Sequence, residues 1–284
     1  MARLFMTRES LIGGAVALVI GCFAFVYGLR WLELAMTFHP VRLSSSELAP
    51  EGADEVWFSA KDGARLHGWY FPAQKKPAAA TIIYFHGNGG NISNVGWLGE
   101  SLAKRGFEVL LFDYRGYGRS DGTATYETDL YLDGEAAVLF VVNEKHVAPH
   151  RIVLYGQSLG TAVATEVATR QKVGAVVLES GFSSASSLAA TALPWLPRFL
   201  HAVARNRFQS AEKLRLVRVP VLISHGEPDP VIPSDEGRAL FAAANEPKEF
   251  LIVPGAGHNV FGSAGSAYQD QLEKFIRGAL RESY

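Results

Sequence analysis

The chain is expected to adopt an α/β fold, with a mostly parallel central sheet, helices on both faces and one N-terminal transmembrane helix ahead of it. From about residue 81 onward, short apolar runs of strand length alternate with segments of helical spacing, the pattern of βαβ units whose strands are buried on both faces. Near the N-terminus, Leu11 to Leu29 runs for 19 residues without a charge; as a helix it would cover roughly 28 Å, close to the hydrocarbon thickness of a bilayer. With 284 residues, 48% of them hydrophobic, the chain is large enough for one full core.

The formal net charge is -1 and the basic residues are scattered, so there is no electrostatic footprint for nucleic acid. Cys22 is the single cysteine, which excludes an intrachain disulfide and a cysteine-built metal site.

Taken in order, residues 1–30 read as a membrane anchor. The apolar run continues through Phe23, Phe25, Val26 and Tyr27, which favours an uncleaved signal-anchor over a cleaved signal. Val19-Ile20-Gly21-Cys22 has the form of a lipobox, so acylation at Cys22 is an alternative route to the same membrane. Arg3 and Arg8 precede the span and Arg30 and Arg42 follow it, a weak bias toward placing the chain after the span on the non-cytoplasmic side. Residues 31–50 read as a juxtamembrane connector ending at Ser44-Ser45-Ser46 and Pro50, and residues 51–284 as the globular domain.

That domain opens on an antiparallel hairpin, Val56 to Ser59 and Leu66 to Phe71, turned at Asp62-Gly63. Strands follow at Thr81 to Phe85 and Glu108 to Phe112, separated by a helix marked by Val95, Leu98 and Leu102. A helix over about Tyr126 to Asn143 leads to the strand Ile152 to Tyr155, the helix Thr161 to Arg170 and the strand Ala175 to Leu178. Residues 181–218, with Leu188, Leu193, Pro194, Trp195, Leu196, Pro197, Phe199 and Leu200, suit a short lid-like flap and, equally, ordinary packing helices. The chain closes with a strand at Val221 to Ser224, a helix at Pro233 to Asn245, a strand at Phe250 to Val253 and an amphipathic helix at Gln269 to Arg281.

Gly156-Gln157-Ser158-Leu159-Gly160 sits between a strand and a helix. A sharp turn there would strain the serine backbone and lift its hydroxyl clear of the sheet. A serine hydroxyl needs a base within hydrogen-bond reach. His258, in the glycine-rich stretch after the last strand, is the candidate base, and Asp229, after the preceding strand, is the candidate orienting acid. All three lie at carboxyl ends of strands, where open α/β sheets place their sites. Asp113 also ends a strand and stays open as the acid. Glu227 is a weaker choice, and His225, His146 and His150 are weaker choices for the base. Arg119, Ser120 and Asp121 form a loop expected to hold Arg115. His86 is read as a loop-shaping residue. Gly87 to Gly90 lack the lysine of a phosphate loop, which argues against nucleotide binding.

The chain order Ser158, Asp229, His258 is that of α/β-hydrolase triads. With it stand His86-Gly87-Asn88-Gly89-Gly90-Asn91, Asp113-Tyr114-Arg115-Gly116-Tyr117-Gly118, His225-Gly226-x-x-Asp229-x-Val231-Ile232-Pro233 and Gly257-His258-Asn259. From about Val56 onward the chain resembles the serine α/β-hydrolases, and within them the Bem46 and ABHD12/13/17-like membrane-anchored group. The resemblance implies an α/β-hydrolase fold with Ser158 as nucleophile, Asp229 as acid and His258 as base, and with the backbone N–H groups of Asn88 and Leu159 as the oxyanion hole. It also implies cleavage of lipid-like acyl esters or thioesters, with a small-molecule or lipid acyl substrate and no cofactor or metal. An amidase or peptidase on the same fold and a non-catalytic scaffold are the alternatives.

Overall fold

The computed structural model describes residues 8–44, 47–192, 194–195 and 204–281. It divides into two compact units, residues 1–38 and 39–284.

The first unit is the helix α1, Arg8–Thr37. Its segment Ile12–Thr37 has a mean hydropathy of 2.2 and is not buried, so α1 is long and apolar enough to cross a bilayer. The anchor expected from the sequence ends at residue 30, and the helix runs on through residue 37. Trp31 to Thr37 contains neither glycine nor proline, and Arg30 pairs with Glu33 at 2.7 Å, one turn on, so nothing interrupts the helix. Pro40 does: it disfavours helical geometry at His39 before it.

The second unit contains an eight-stranded sheet. The strands of this unit, in chain order, are β1 (His39–Pro40), β2 (Asp54–Ser59), β3 (Arg65–Phe71), β4 (Thr81–Phe85), β5 (Gly89–Gly90), β6 (Glu108–Phe112), β7 (Ile152–Gln157), β8 (Ala175–Glu179), β9 (Val221–Gly226) and β10 (Lys248–Val253). The sheet order is β10-β9-β8-β7-β4-β6-β3-β2, while β1 and β5 pair separately. β3 is antiparallel to both β2 and β6, and the other pairs of the large sheet are parallel.

The helices described in this unit are α2 (Gly96–Lys104), α3 (Glu127–Asn143), α4 (Leu159–Arg170), α5 (Ala185–Ala192), α6 (Ser210–Leu214), α7 (Ser234–Ala243), α8 (Val260–Ser263) and α9 (Gly265–Ala279). They bury both sheet faces, which is why every residue of β4 and β8 is buried. α9 buries Tyr268, Leu272, Phe275, Ile276 and Ala279, a stripe of helical spacing, against a cluster that includes Phe71, Tyr84, Leu98 and Tyr155.

After β4 the chain moves to β6 on one side, then returns to β7 on the other side of β4. The carboxyl ends of β4 and β7 therefore flank a topological switch point, where such sheets leave a crevice. The close packing behind it is intolerant of added atoms. A Cβ on Gly160 would overlap the carbonyl oxygen of Phe85 at the end of β4. Gly160→Ala is expected to lower stability by at least about 2 kcal/mol, read from the denaturation midpoint; an unchanged midpoint would contradict this packing.

Two sequence expectations change here. The expected connector 31–50 is divided between the two units: residues 31–37 continue α1, and from His39 the chain belongs to the second unit. The Val41 carbonyl accepts from the Gly118 amide at 2.9 Å, and Leu43 is buried. Arg115 is held by Asp62 (2.6 Å) and Asp133 (2.7 Å), not by the loop of Asp121. A guanidinium this buried takes carboxylates brought to it by the hairpin turn and by α3, with bidentate geometry.

Within 181–218, Ala185 donates to the Arg207 carbonyl and Ala211 to that of Ser183, and the segment is tied to the rest of the domain where Ser183 donates to Glu236 at 2.7 Å and Phe208 to Glu127 at 2.6 Å. Leu193, Leu196, Pro197, Phe199 and Leu200, on which much of the expected flap rests, lie outside the described residues; Trp195 is exposed.

Candidate active site

Ser158 stands between β7 and α4 with φ 53° and ψ −119°, a backbone region that costs a residue with a Cβ of order 1–3 kcal/mol. The surrounding structure holds it there. Its amide donates to the Glu179 carbonyl at 2.9 Å, and its carbonyl accepts from the Thr161 amide (3.0 Å) and hydroxyl (2.7 Å). α4 begins at Leu159, so the unpaired amides and positive end of that helix point at the serine.

The loop after β4 lies against this turn. A Cβ on Gly87 would stand 3.4 Å from the Ser158 Cβ and 2.5 Å from the Gln157 side-chain oxygen, so Gly87 packs directly against the serine turn and a larger residue would displace the Gln157 side chain. Asn88 follows. Among the described residues, the backbone N–H groups of Asn88 and Leu159 donate to no protein acceptor.

Asp229 and His258 are brought together: His258 Nδ1 donates to Asp229 Oδ2 at 2.8 Å. The other carboxylate oxygen accepts from the amides of Val231 (2.8 Å) and Ile232 (3.0 Å). Burial alone would push the Asp229 carboxyl up. Hydrogen bonds from His225, His258 and the two amides outweigh it and hold the group well below the usual carboxylate range. Because a carboxylate only accepts, His258 Nδ1 carries a proton, and in the neutral ring Nε2 is the nitrogen with the lone pair.

Ser158, His258, Gln157, Gly87, Asn88 and His86 share one cleft of about 440 Å³, closed by His39, Asn91, Asn94, Val95 and Val231. Ser158 and His258 line it without a hydrogen bond between them.

Asp113 is elsewhere engaged: it is buried and accepts from the Ile92 amide at 3.0 Å. His225 is buried too, its Nε2–H shared between the Ile232 carbonyl at 2.9 Å and Asp229 Oδ2 at 3.3 Å. His150 and His146 precede β7, at the end opposite Ser158. Glu227 is exposed. His86 is buried, which lowers its imidazole below the ordinary range, and its Nδ1 donates to the Gly87 carbonyl at 2.7 Å.

Sequence reading missed two supports. Glu179, at the end of β8, accepts from the Val260 amide (2.9 Å) and the Phe261 amide (3.3 Å), and the Tyr155 hydroxyl donates to its other oxygen. It thereby anchors the turn that follows His258; burial raises its pKa. A glutamate ending an otherwise apolar strand was the signal available. The other support is His39, for which residue type and position offered none.

A sequence profile of the α/β hydrolase fold matches residues 80–215. The chain is 39% identical over 216 residues to the uncharacterised protein Rv2307c of Mycobacterium tuberculosis, covering 76% of this chain and 75% of that one. It is 34% identical over 204 residues to the human alpha/beta hydrolase domain-containing protein 17B, covering 72% and 68% respectively. Among solved structures, the Pyrococcus furiosus esterase Pf2001 superposes with a TM-score of 0.66 at 20% identity, over 85% of this chain and 99% of that one.

Proposed function

We propose, from the premise that this chain belongs to the α/β-hydrolase family, that it is a membrane-anchored serine hydrolase cleaving acyl esters or thioesters. The observation that carries this reading is Ser158, held at positive φ at the head of α4, in one cleft with the Gly87-Asn88 loop and the Asp229-paired His258.

In this reading Ser158 Oγ attacks the acyl carbonyl carbon and its proton passes to His258 Nε2. The carbonyl oxygen takes the negative charge and accepts from the Asn88 and Leu159 amides. Collapse of this intermediate breaks the bond to the leaving group, which receives the proton from His258. Water, deprotonated by the same imidazole, then attacks the acyl-serine carbon; the bond to Ser158 Oγ breaks, His258 returns the proton to that oxygen, and the acid is released. Asp229 holds the imidazole with Nε2 toward the serine throughout. Approach of Ser158 and His258 to hydrogen-bond length accompanies substrate binding, as apo sites of this kind commonly tighten. Lipid-like substrates fit a catalytic unit that follows an apolar helix of bilayer-spanning length.

The test is labelling of the full-length protein with a fluorophosphonate, with the modified peptide located by mass spectrometry. Modification of Ser158 with concurrent loss of ester turnover is expected. A well-folded protein that hydrolyses esters while Ser158 stays unmodified would overturn the reading.

A further inference from the structure

The four residues Gly87-Asn88-Gly89-Gly90 carry only one side chain beyond hydrogen, that of Asn88. Such a segment is conformationally permissive, and its backbone samples many states unless something external restrains it. An oxyanion hole has the opposite requirement: its N–H donors act because they are fixed before charge develops. Restraint of this loop by a side chain of its own must therefore act through Asn88.

The Asn88 side chain is held by three hydrogen bonds to His39 and Tyr117. Its Oδ1 accepts two donors, the His39 amide at 3.1 Å and the Tyr117 hydroxyl at 2.9 Å. Its Nδ2 donates to His39 Nδ1 at 2.9 Å. Because an amide NH2 can only donate, His39 Nδ1 accepts, which sets the tautomer of that ring. The backbones run together as well: β1 and β5 are parallel, with His39 opposite Gly89 and Pro40 opposite Gly90.

Residues 39–43 are in turn fastened to the rest of the catalytic unit. The Asn91 side chain donates to the Val41 carbonyl at 3.3 Å, and the Gly118 amide donates to the same oxygen at 2.9 Å. Leu43 donates to the Gly118 carbonyl at 3.1 Å, and Arg42 to the Ser120 carbonyl at 2.5 Å. His39–Leu43 thus forms a strap laced between the loop after β4 and the loop after β6. In sequence it begins two residues beyond the end of α1.

We propose that the Asn88 side chain, clamped by His39 and Tyr117, is the positioning element of the oxyanion hole, so that turnover depends on the strap following α1. The inference rests on the serine-hydrolase reading. Asn88 acts twice in it: its backbone N–H touches the reacting oxygen, and its side chain keeps that N–H in place. His39 and Tyr117 are positioning residues that act through it.

The experiment measures steady-state hydrolysis of a p-nitrophenyl ester by the full-length protein and by Asn88→Ala, His39→Ala, His39→Asn and Tyr117→Phe, with thermal melts of each. Asn88→Ala keeps the backbone donor but frees the loop, and is expected to lower kcat about 10- to 100-fold, approaching the loss of one oxyanion donor, with KM within about threefold of wild type. His39→Ala should give a smaller loss of the same kind. His39→Asn should recover most of it, because the Asn Oδ1 takes the place of Nδ1 as acceptor. A merely structural clamp would lower the melting temperature and leave kcat unchanged below it; that result overturns the inference. If Asn88→Ala does not fold, the His39→Ala and His39→Asn pair decides: equal kcat in both variants overturns it. Absence of both turnover and Ser158 labelling in the wild type would remove the hydrolase reading and this inference together, whereas an active wild type with insensitive variants removes this inference alone.

Discussion

Ser158→Gly is expected to lower kcat by about 10⁶-fold and, at the same time, to make the protein more stable. The first effect follows from the proposed role of Ser158 as nucleophile: without it, the proposed oxyanion donors and the cleft cannot form an acyl-enzyme. The second follows from the backbone. At φ 53° and ψ −119° a Cβ costs of order 1–3 kcal/mol, and glycine relieves that cost. Against it stands the extra unfolded-state freedom of glycine, about 0.5–1 kcal/mol. The relief of strain outweighs the added freedom, so a net gain of about 1 kcal/mol is expected, or roughly 2–4 °C in melting temperature for a domain of this size. Ser158→Ala keeps the Cβ and should lose activity without that gain. A melt in which glycine is no more stable than alanine would show that the turn is unstrained.

Asp229→Asn is expected to lower kcat by about 10⁴-fold, while Asp113→Asn should leave the chemical step close to wild type. An amide at 229 places a donor or a weaker acceptor opposite His258 Nδ1, so the ring loses the tautomer that leaves Nε2 free for the Ser158 proton. Asp113 faces the Ile92 amide, not His258. The pH dependence of stability carries a second signature. The folded carboxyl of Asp229 lies below its unfolded value, so the unfolded state binds the proton more tightly. Its contribution to stability is fully present above the unfolded value of about 3.9 and is lost as the pH falls toward the folded one. The melting-temperature gap between wild type and Asp229→Asn should therefore be constant from neutral pH to about pH 5 and close below about pH 4. A gap that widened on acidification would reverse the sign of the shift.

Much of the architecture was legible because it is written locally. Asp62-Gly63 marks the hairpin turn, and the hairpin forms there. Uniformly apolar runs mark strands buried on both faces, and Thr81–Phe85 and Ala175–Glu179 are such strands. Gly156 and Gly160 mark a turn where backbone meets backbone. The residues that hold the site were less legible, since they meet across long stretches of chain. Asn88 and His39 are 49 residues apart, and Arg115 and Asp62 are 53 apart. No period, cap or turn signal links such pairs; only the strand order brings them together. Glu179 was hidden for a related reason, as its partners lie in the turn after His258.

The strands that carry the site begin at residues 81, 152, 221 and 248, and the first two lie side by side with Thr81 opposite Ile152. Pairings of such high sequence separation must pay their loop-closure entropy before they are rewarded, so a molecule of this topology folds slowly and late in its contacts. The reacting groups are therefore acquired together, when β4 and β7 dock and β9 and β10 complete the edge. A half-folded chain carries the same serine in an unstrained backbone, with no base beside it and no helix behind it. On the proposed serine-hydrolase reading, reactivity at Ser158 is a property of the finished sheet, and a newly synthesised chain is expected to stay chemically silent until assembly is complete.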